Sequence, residues 1–163
     1  MKDREVNNAA GYPLLVNIGV DIQKGLTMTG GSDQSYRKIL EAFCQDIRDR
    51  LPLFTAVPDR DNLENFILNV HALKGAASAI GAAAVSKQAL ELERAGRAGD
   101  PGLIEGGLAN FYRDLNNLAE QIDRTLNPYP AAGMEQAGGE GGDKAVSATG
   151  KTKEEIWKTN SRL

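Results

Sequence analysis

The chain has little of what most chemical sites are built from: one cysteine, Cys44, one histidine, His71, and one tryptophan, Trp157, in 163 residues. A single thiol closes no internal disulfide, which argues against a cross-linked secreted scaffold and fits a reducing, cytoplasmic compartment. Cys44 itself reads as a small apolar core residue, because no partner in the sequence would make it reactive. One histidine and one distant cysteine do not supply the several ligands that a metal centre needs, so no metal and no other cofactor is expected on this chain. Long apolar runs are missing too. Nothing approaches the roughly 20 residues of a spanning helix, and Met1-Lys2-Asp3-Arg4-Glu5 does not read as a signal peptide, so no membrane contact is expected. Positive charge is not in excess: 19 Lys and Arg stand against 22 Asp and Glu, for a net charge of -3. Without a basic stripe there is no electrostatic footprint for nucleic acid. The phosphate-cradling pattern G-x-x-x-x-G-K-[ST] is absent, and the glycines at 138–142 do not join a strand to a helix. A chain with no ATP site cannot phosphorylate itself. No internal repeat is found, and nothing alternates in the manner of a strand.

What is present is helical periodicity, punctuated clearly. Residues 1–17 read as an irregular lead-in, since Gly11-Tyr12-Pro13 discourages an early helix. Asp21 then caps a short helix through Leu26, and Gly30-Gly31 breaks it. Ser32 caps a long helix reaching Phe54 or Val57, whose buried face is Tyr36, Leu40, Phe43, Ile47, Leu51 and Phe54; Pro52 predicts a kink or an early end. Asp61 with Glu64 resembles a capping box for the helix that ends at Gly81. A further helix over 82–97 buries Val85, Ala89, Leu92 and Gly96. Gly99-Asp100-Pro101 then supplies a stop, a cap and a first-turn proline for a last helix through Leu126, which buries Leu108, Phe111, Leu115, Leu118 and Ile122. Four long amphipathic helices with short connections predict an all-α fold, an antiparallel four-helix bundle with a short additional N-terminal helix. Its limits are 18–127. Residues 128–163 change character: Pro128, Pro130 and the glycines of 138–142 predict a flexible tail, with some helical character returning around Ile156 and Trp157. That last segment reads as a fraying terminus or as a docking peptide.

On a helix from Leu63 to Ile80, the residues Leu63, Phe66, Val70, Leu73, Ala77 and Ile80 form one stripe. His71 points roughly 120° away from its centre, toward water. An imidazole that takes a phosphoryl group from a large partner needs a neutral nitrogen, nearby positive charge and room. An ordinary histidine is largely neutral at cytoplasmic pH, Lys74 lies one turn away, and Gly75 has no side chain to obstruct an approaching surface. That clearance costs the helix roughly 0.8–1 kcal/mol relative to alanine.

These residues place the chain beside a known family. The pattern His71-x-Leu73-Lys74-Gly75 with Gly81 six residues on, together with Leu92-Glu93-x-Ala95-Gly96, resembles a histidine phosphotransfer (HPt) domain. Upstream, Gly25-Leu26, Gly30-Gly31-Ser32, Tyr36-Arg37 and Leu40 through Phe43 extend the likeness over residues 18–127. The resemblance implies a phosphohistidine carrier of bacterial multistep phosphorelays, with His71 the phospho-acceptor exchanging with a receiver-domain aspartate. Lys74 would neutralise charge on the phosphoryl oxygens. Glu93 would orient the imidazole. Ile67, Leu68, Ala72, Gly75, Ser78 and Ala79 share the flank of His71 and would form the docking surface. The partners implied are response-regulator receiver domains, which would bring the Mg2+ needed for the exchange, and a hybrid sensor kinase in cis; the carrier itself would be a monomer. The loose lead-in favours a piece of a hybrid kinase over a free-standing carrier.

Other readings stand beside these. Lys74 and Glu93 can be ordinary solvated charges, and Gly75 can be a helix-packing contact. The whole chain can be a helical interaction module that binds receivers or kinases without carrying phosphate. A sensor-kinase dimerisation domain fits less well, since its pattern places an acidic residue directly after the histidine, where this chain has Ala72.

Overall fold

The computed structural model describes residues 10–128. Among the described residues the α-helices are, in sequence, α1 (Pro13–Asn17), α2 (Ile22–Met28), α3 (Asp33–Arg50), α4 (Leu63–Ile80), α5 (Ala83–Arg97) and α6 (Pro101–Leu126), with a 3-10 turn at Leu51–Phe54 between α3 and α4. There is no strand among the described residues. The four long helices, α3 to α6, make the antiparallel bundle that their periodicity predicts, and the short α1 and α2 pack onto it.

The expected faces are the buried ones. Tyr36, Leu40, Phe43, Ile47, Leu51 and Phe54 all lie in the core, as do Phe66, Val70, Leu73, Ala77 and Ile80 of α4, with Leu63 half-buried at its start. Phe54 meets Phe66 and Phe111 edge-on, with ring centroids 5.7 Å and 5.2 Å apart, so the 3-10 turn ties α4 to α6. The early end predicted at Pro52 takes this form: α3 stops at Arg50 and the chain tightens into the 3-10 turn. Cys44 is buried and its thiol donates to the carbonyl of Ala119 at 3.4 Å, while burial pushes its pKa up. It is a core residue.

Two expectations need correction. The lead-in is not irregular throughout its described part, for Pro13 opens α1 at the position where a fixed φ and a missing N–H cost nothing. Tyr12 and Leu15 are buried, Tyr12 donates its hydroxyl proton to Asp33 Oδ1 at 2.6 Å, and its ring packs edge-on against Tyr36. A five-residue helix is too short to show a period, and so its sequence carried no sign of it. Nor does Asp61 cap α4. Asn62 holds the cap position in a helical backbone conformation, with no side-chain bond to the helix, whereas a side-chain cap needs extended backbone there. Asp59 instead accepts from the backbone N–H and the side-chain amide of Asn62, both at 2.9 Å, and braces the preceding turn.

The other caps are as expected: Asp21 accepts from Lys24 N–H, Ser32 from Ser35 N–H and Asp100 from Leu103 N–H. The helical unit ends at Leu126. Residues 1–9 of the lead-in, and the tail expectations beyond Pro128, including Ile156 and Trp157, lie outside the described residues.

One junction fixes where α4 ends. Gly81 is left-handed at φ 89°, and Asp21 N–H donates to its carbonyl at 2.9 Å. Tyr36 donates its hydroxyl proton to the Ile80 carbonyl at 2.8 Å. Gly25 of α2 lies against that same carbonyl, so close that a Cβ at Gly25 would stand 2.4 Å from Ile80 O. The C-terminal end of α4 is thereby held from three directions, which sets the axial position of His71 further up the helix.

Candidate functional site

The geometry around His71 begins with a glycine on the neighbouring helix. A Cβ at Gly96 would come within 2.7 Å of Ile67 Cγ1, so α5 approaches α4 closely only because position 96 has none. Glu93, one turn earlier on α5, is carried by that contact to the side of His71. Ser86 adds a second tie, donating its hydroxyl proton to the Lys74 carbonyl at 2.9 Å.

The His71 side chain is 58% exposed, while that of Glu93 is only 7% exposed. Between them, Nδ1 lies 2.8 Å from Glu93 Oε1. The carboxylate has two further partners: Lys74 Nζ donates to Oε2 at 2.7 Å, and Arg97 donates to Oε1 from Nη2 at 3.0 Å. The Lys74 ammonium, with help from the His71 and Arg97 hydrogen bonds, outweighs burial and pushes the Glu93 pKa down to about 2. A carboxylate is an acceptor only, so the short contact assigns the ring proton to Nδ1. The lone pair of the neutral ring is then on Nε2.

That carboxylate is also a stability element with a defined pH window. Its pKa is about 2 in the folded chain against an ordinary 4.5. A lowered pKa stabilises the fold above 4.5, and the contribution fades as pH falls from there toward 2. Chemical denaturation of the wild type and of Glu93→Gln should therefore show a stability gap at neutral pH that closes over this acid range. A gap constant from pH 6 to pH 2.5 would contradict the ionic character of the pair.

Of the residues singled out in the sequence, His71, Lys74 and Glu93 meet in one cluster. Lys74 is not free beside the ring, because its ammonium is on Glu93. Arg97 was missed. Its signal was present as the (i, i+4) spacing from Glu93 on one helix, but such pairs are common on solvated faces and carry little information by themselves. Among the docking residues, Leu68 is 61% exposed and Ala72 and Gly75 are exposed, whereas Ser78 and Ala79 are half-buried. Ile67 is half-buried against Gly96, so it offers only part of its surface.

Gly75 faces open space, with nothing within 4 Å of where its Cβ would be. The packing contact belongs to Gly96 instead. Gly75→Ala should then raise stability by about 0.5–1 kcal/mol, since alanine is the better helix former and meets no neighbour. Urea titration would show it as a higher midpoint, and a lower midpoint would mean that the position is sterically constrained.

The family model of the Hpt domain matches residues 38–127, more than half of the chain and the stretch that holds the second and third long helices. The chain belongs to the Hpt domain family. Hpt domains are phosphocarrier modules of phosphorelays, and they work with the receiver domains of response regulators. Comparison with curated proteins and with solved structures gave no match. The matched segment of this Hpt domain starts inside α3, so α1, α2 and the junction at Gly25 precede it. No described helix is long and apolar enough to cross a membrane, and no group of three or more His, Cys, Asp or Glu among the described residues could hold a metal.

Proposed function

We propose that His71 is the phospho-acceptor of this Hpt domain, taking a phosphoryl group from the aspartyl phosphate of one receiver and passing it to the aspartate of another. The observation that carries the reading is the pairing of an exposed imidazole with a buried carboxylate on Nδ1, which leaves Nε2 as the nucleophile. A receiver docks over the flank formed by Leu68, Ala72, Gly75 and the exposed parts of Ile67, Ser78 and Ala79, and brings its own Mg2+. Nε2 attacks phosphorus in line as the bond to the aspartyl oxygen breaks, with its electron pair returning to the carboxylate. Lys74 and Arg97, held on the carboxylate that contacts the ring, balance charge on the transferring oxygens, while Glu93 keeps the ring in one tautomer. The chain works as a cytoplasmic monomer, either as the phosphotransfer segment of a hybrid sensor kinase or with receivers in trans.

Incubation with receivers charged by a small phosphodonor tests this directly. The chain should acquire a label that acid removes and base does not. Binding to receivers without any such label would show an interaction module that no longer carries phosphate.

A further inference from the structure

The buried carboxylate has more partners than tautomer selection requires. Holding the proton on Nδ1 needs one acceptor, yet Glu93 also engages Lys74 and Arg97. These two cations differ from Glu93 in mobility of position: their side chains are 28% and 62% exposed, against 7% for the carboxylate. Both are long and flexible enough to turn toward a new anion on the neighbouring ring. Glu93 is not free to follow them.

We propose that Glu93 is a positioning residue that exchanges counter-ions when His71 is phosphorylated, keeping the phosphorylated ring an imidazolium and so shortening the life of its P–N bond. This rests on the reading of His71 as the phospho-acceptor. In the resting chain the carboxylate is balanced by Lys74 and Arg97 and accepts from the ring N–H. A phosphoryl group on Nε2 draws the two cations to its oxygens. Glu93, still enclosed, is then left with the ring N–H as its main charged partner, which favours retention of the proton on Nδ1.

That proton decides the leaving group. When the oxygen of a receiver carboxylate or of water forms its bond to phosphorus, the P–N electron pair returns to Nε2. With Nδ1 protonated the ring departs as neutral imidazole, whereas without that proton it would depart as an imidazolate anion, a far poorer leaving group. Glu93 acts through His71 throughout and touches no phosphoryl atom. The charged groups of the cluster are Glu93 and Arg97 from α5 and Lys74 from α4: Glu93 touches the ring, and the two cations touch Glu93.

Phosphoramidate supplies the test, because it phosphorylates an exposed histidine without any receiver. Nitrogen-15 NMR on the phosphorylated wild-type chain should find Nδ1 protonated to a pH about one unit higher than in the same chain unfolded in urea. In phosphorylated Glu93→Gln that difference should disappear, and loss of phosphate above neutral pH should slow about tenfold. Equal titration of the folded and unfolded wild-type chain would overturn the proposal, and so would an unchanged or faster loss from a folded Glu93→Gln. The wild-type comparison stands even where the variant fails to fold. Receivers take no part in either arm, so failed transfer from charged receivers would count against the proposed function and not against this role of Glu93.

Discussion

Replacing His71 by glutamine is expected to eliminate phosphoryl labelling from charged receivers, to background, while leaving the helical bundle intact. The size of the effect follows from the chemistry: no other described nucleophile shares the combination of exposure and a fixed lone pair found at Nε2, and an amide nitrogen has no lone pair available for attack. The mildness of the structural effect follows from location. The imidazole is mostly in water, so little apolar burial is lost. Glu93 gives up one hydrogen bond and keeps those from Lys74 and Arg97, so it is not stranded without a partner. Far-UV circular dichroism should be unchanged and thermal unfolding within a few degrees of the wild type. Label persisting on His71→Gln would move the acceptor to another residue.

Gly81→Ala is expected to have the largest effect on stability. Its φ of 89° is left-handed, which alone costs a residue with a Cβ about 1–2 kcal/mol. Here the Cβ would also stand 2.0 Å from the carbonyl oxygen of Asp21, and that atom is backbone, held by the N-cap of α2. Relief requires α2 to move off the end of α4, disturbing the bonds from Asp21 to Gly81 and from Tyr36 to Ile80. A total loss of roughly 3 kcal/mol or more is expected, read as a fall in melting temperature of about 10 °C or more. His71 lies ten residues up the same helix, about 15 Å along its axis. At a temperature where the variant is folded, its labelling should match the wild type. A melting temperature within two degrees of the wild type would show that the junction yields freely.

Gly75 and Gly81 look alike in sequence, yet they answer to different demands. Gly75 meets nothing, so no packing inside the described structure requires its missing side chain. Gly81 meets backbone and is required by the fold itself. The distinction was half legible: a glycine closing a periodic stretch marks a helix end, whereas a glycine inside one can indicate packing or clearance equally well. Gly96 shows the packing case, and only the position of Ile67 reveals it. The false capping box at Asp61 has a similar cause. The spacing of Asp61 and Glu64 is right for a cap, but the backbone at Asn62 is already helical, and spacing does not report backbone conformation.

Sequence alone determined the five helices from α2 onward, their buried faces, most of their ends and the outward placement of His71. These are local properties, set by a period of 3.6 residues and by the conformational limits of proline, glycine and capping side chains. The tertiary structure decided the rest. It alone brought Glu93, 22 positions away in the chain, to 2.8 Å from His71, and made one carboxylate the common partner of His71, Lys74 and Arg97. It also drew Tyr12 and Leu15 into the core. Such contacts depend on how closely and at what height two helices approach. That is set by a missing Cβ at Gly96 and by the clamp at Gly81, which no reading along a single helix can measure.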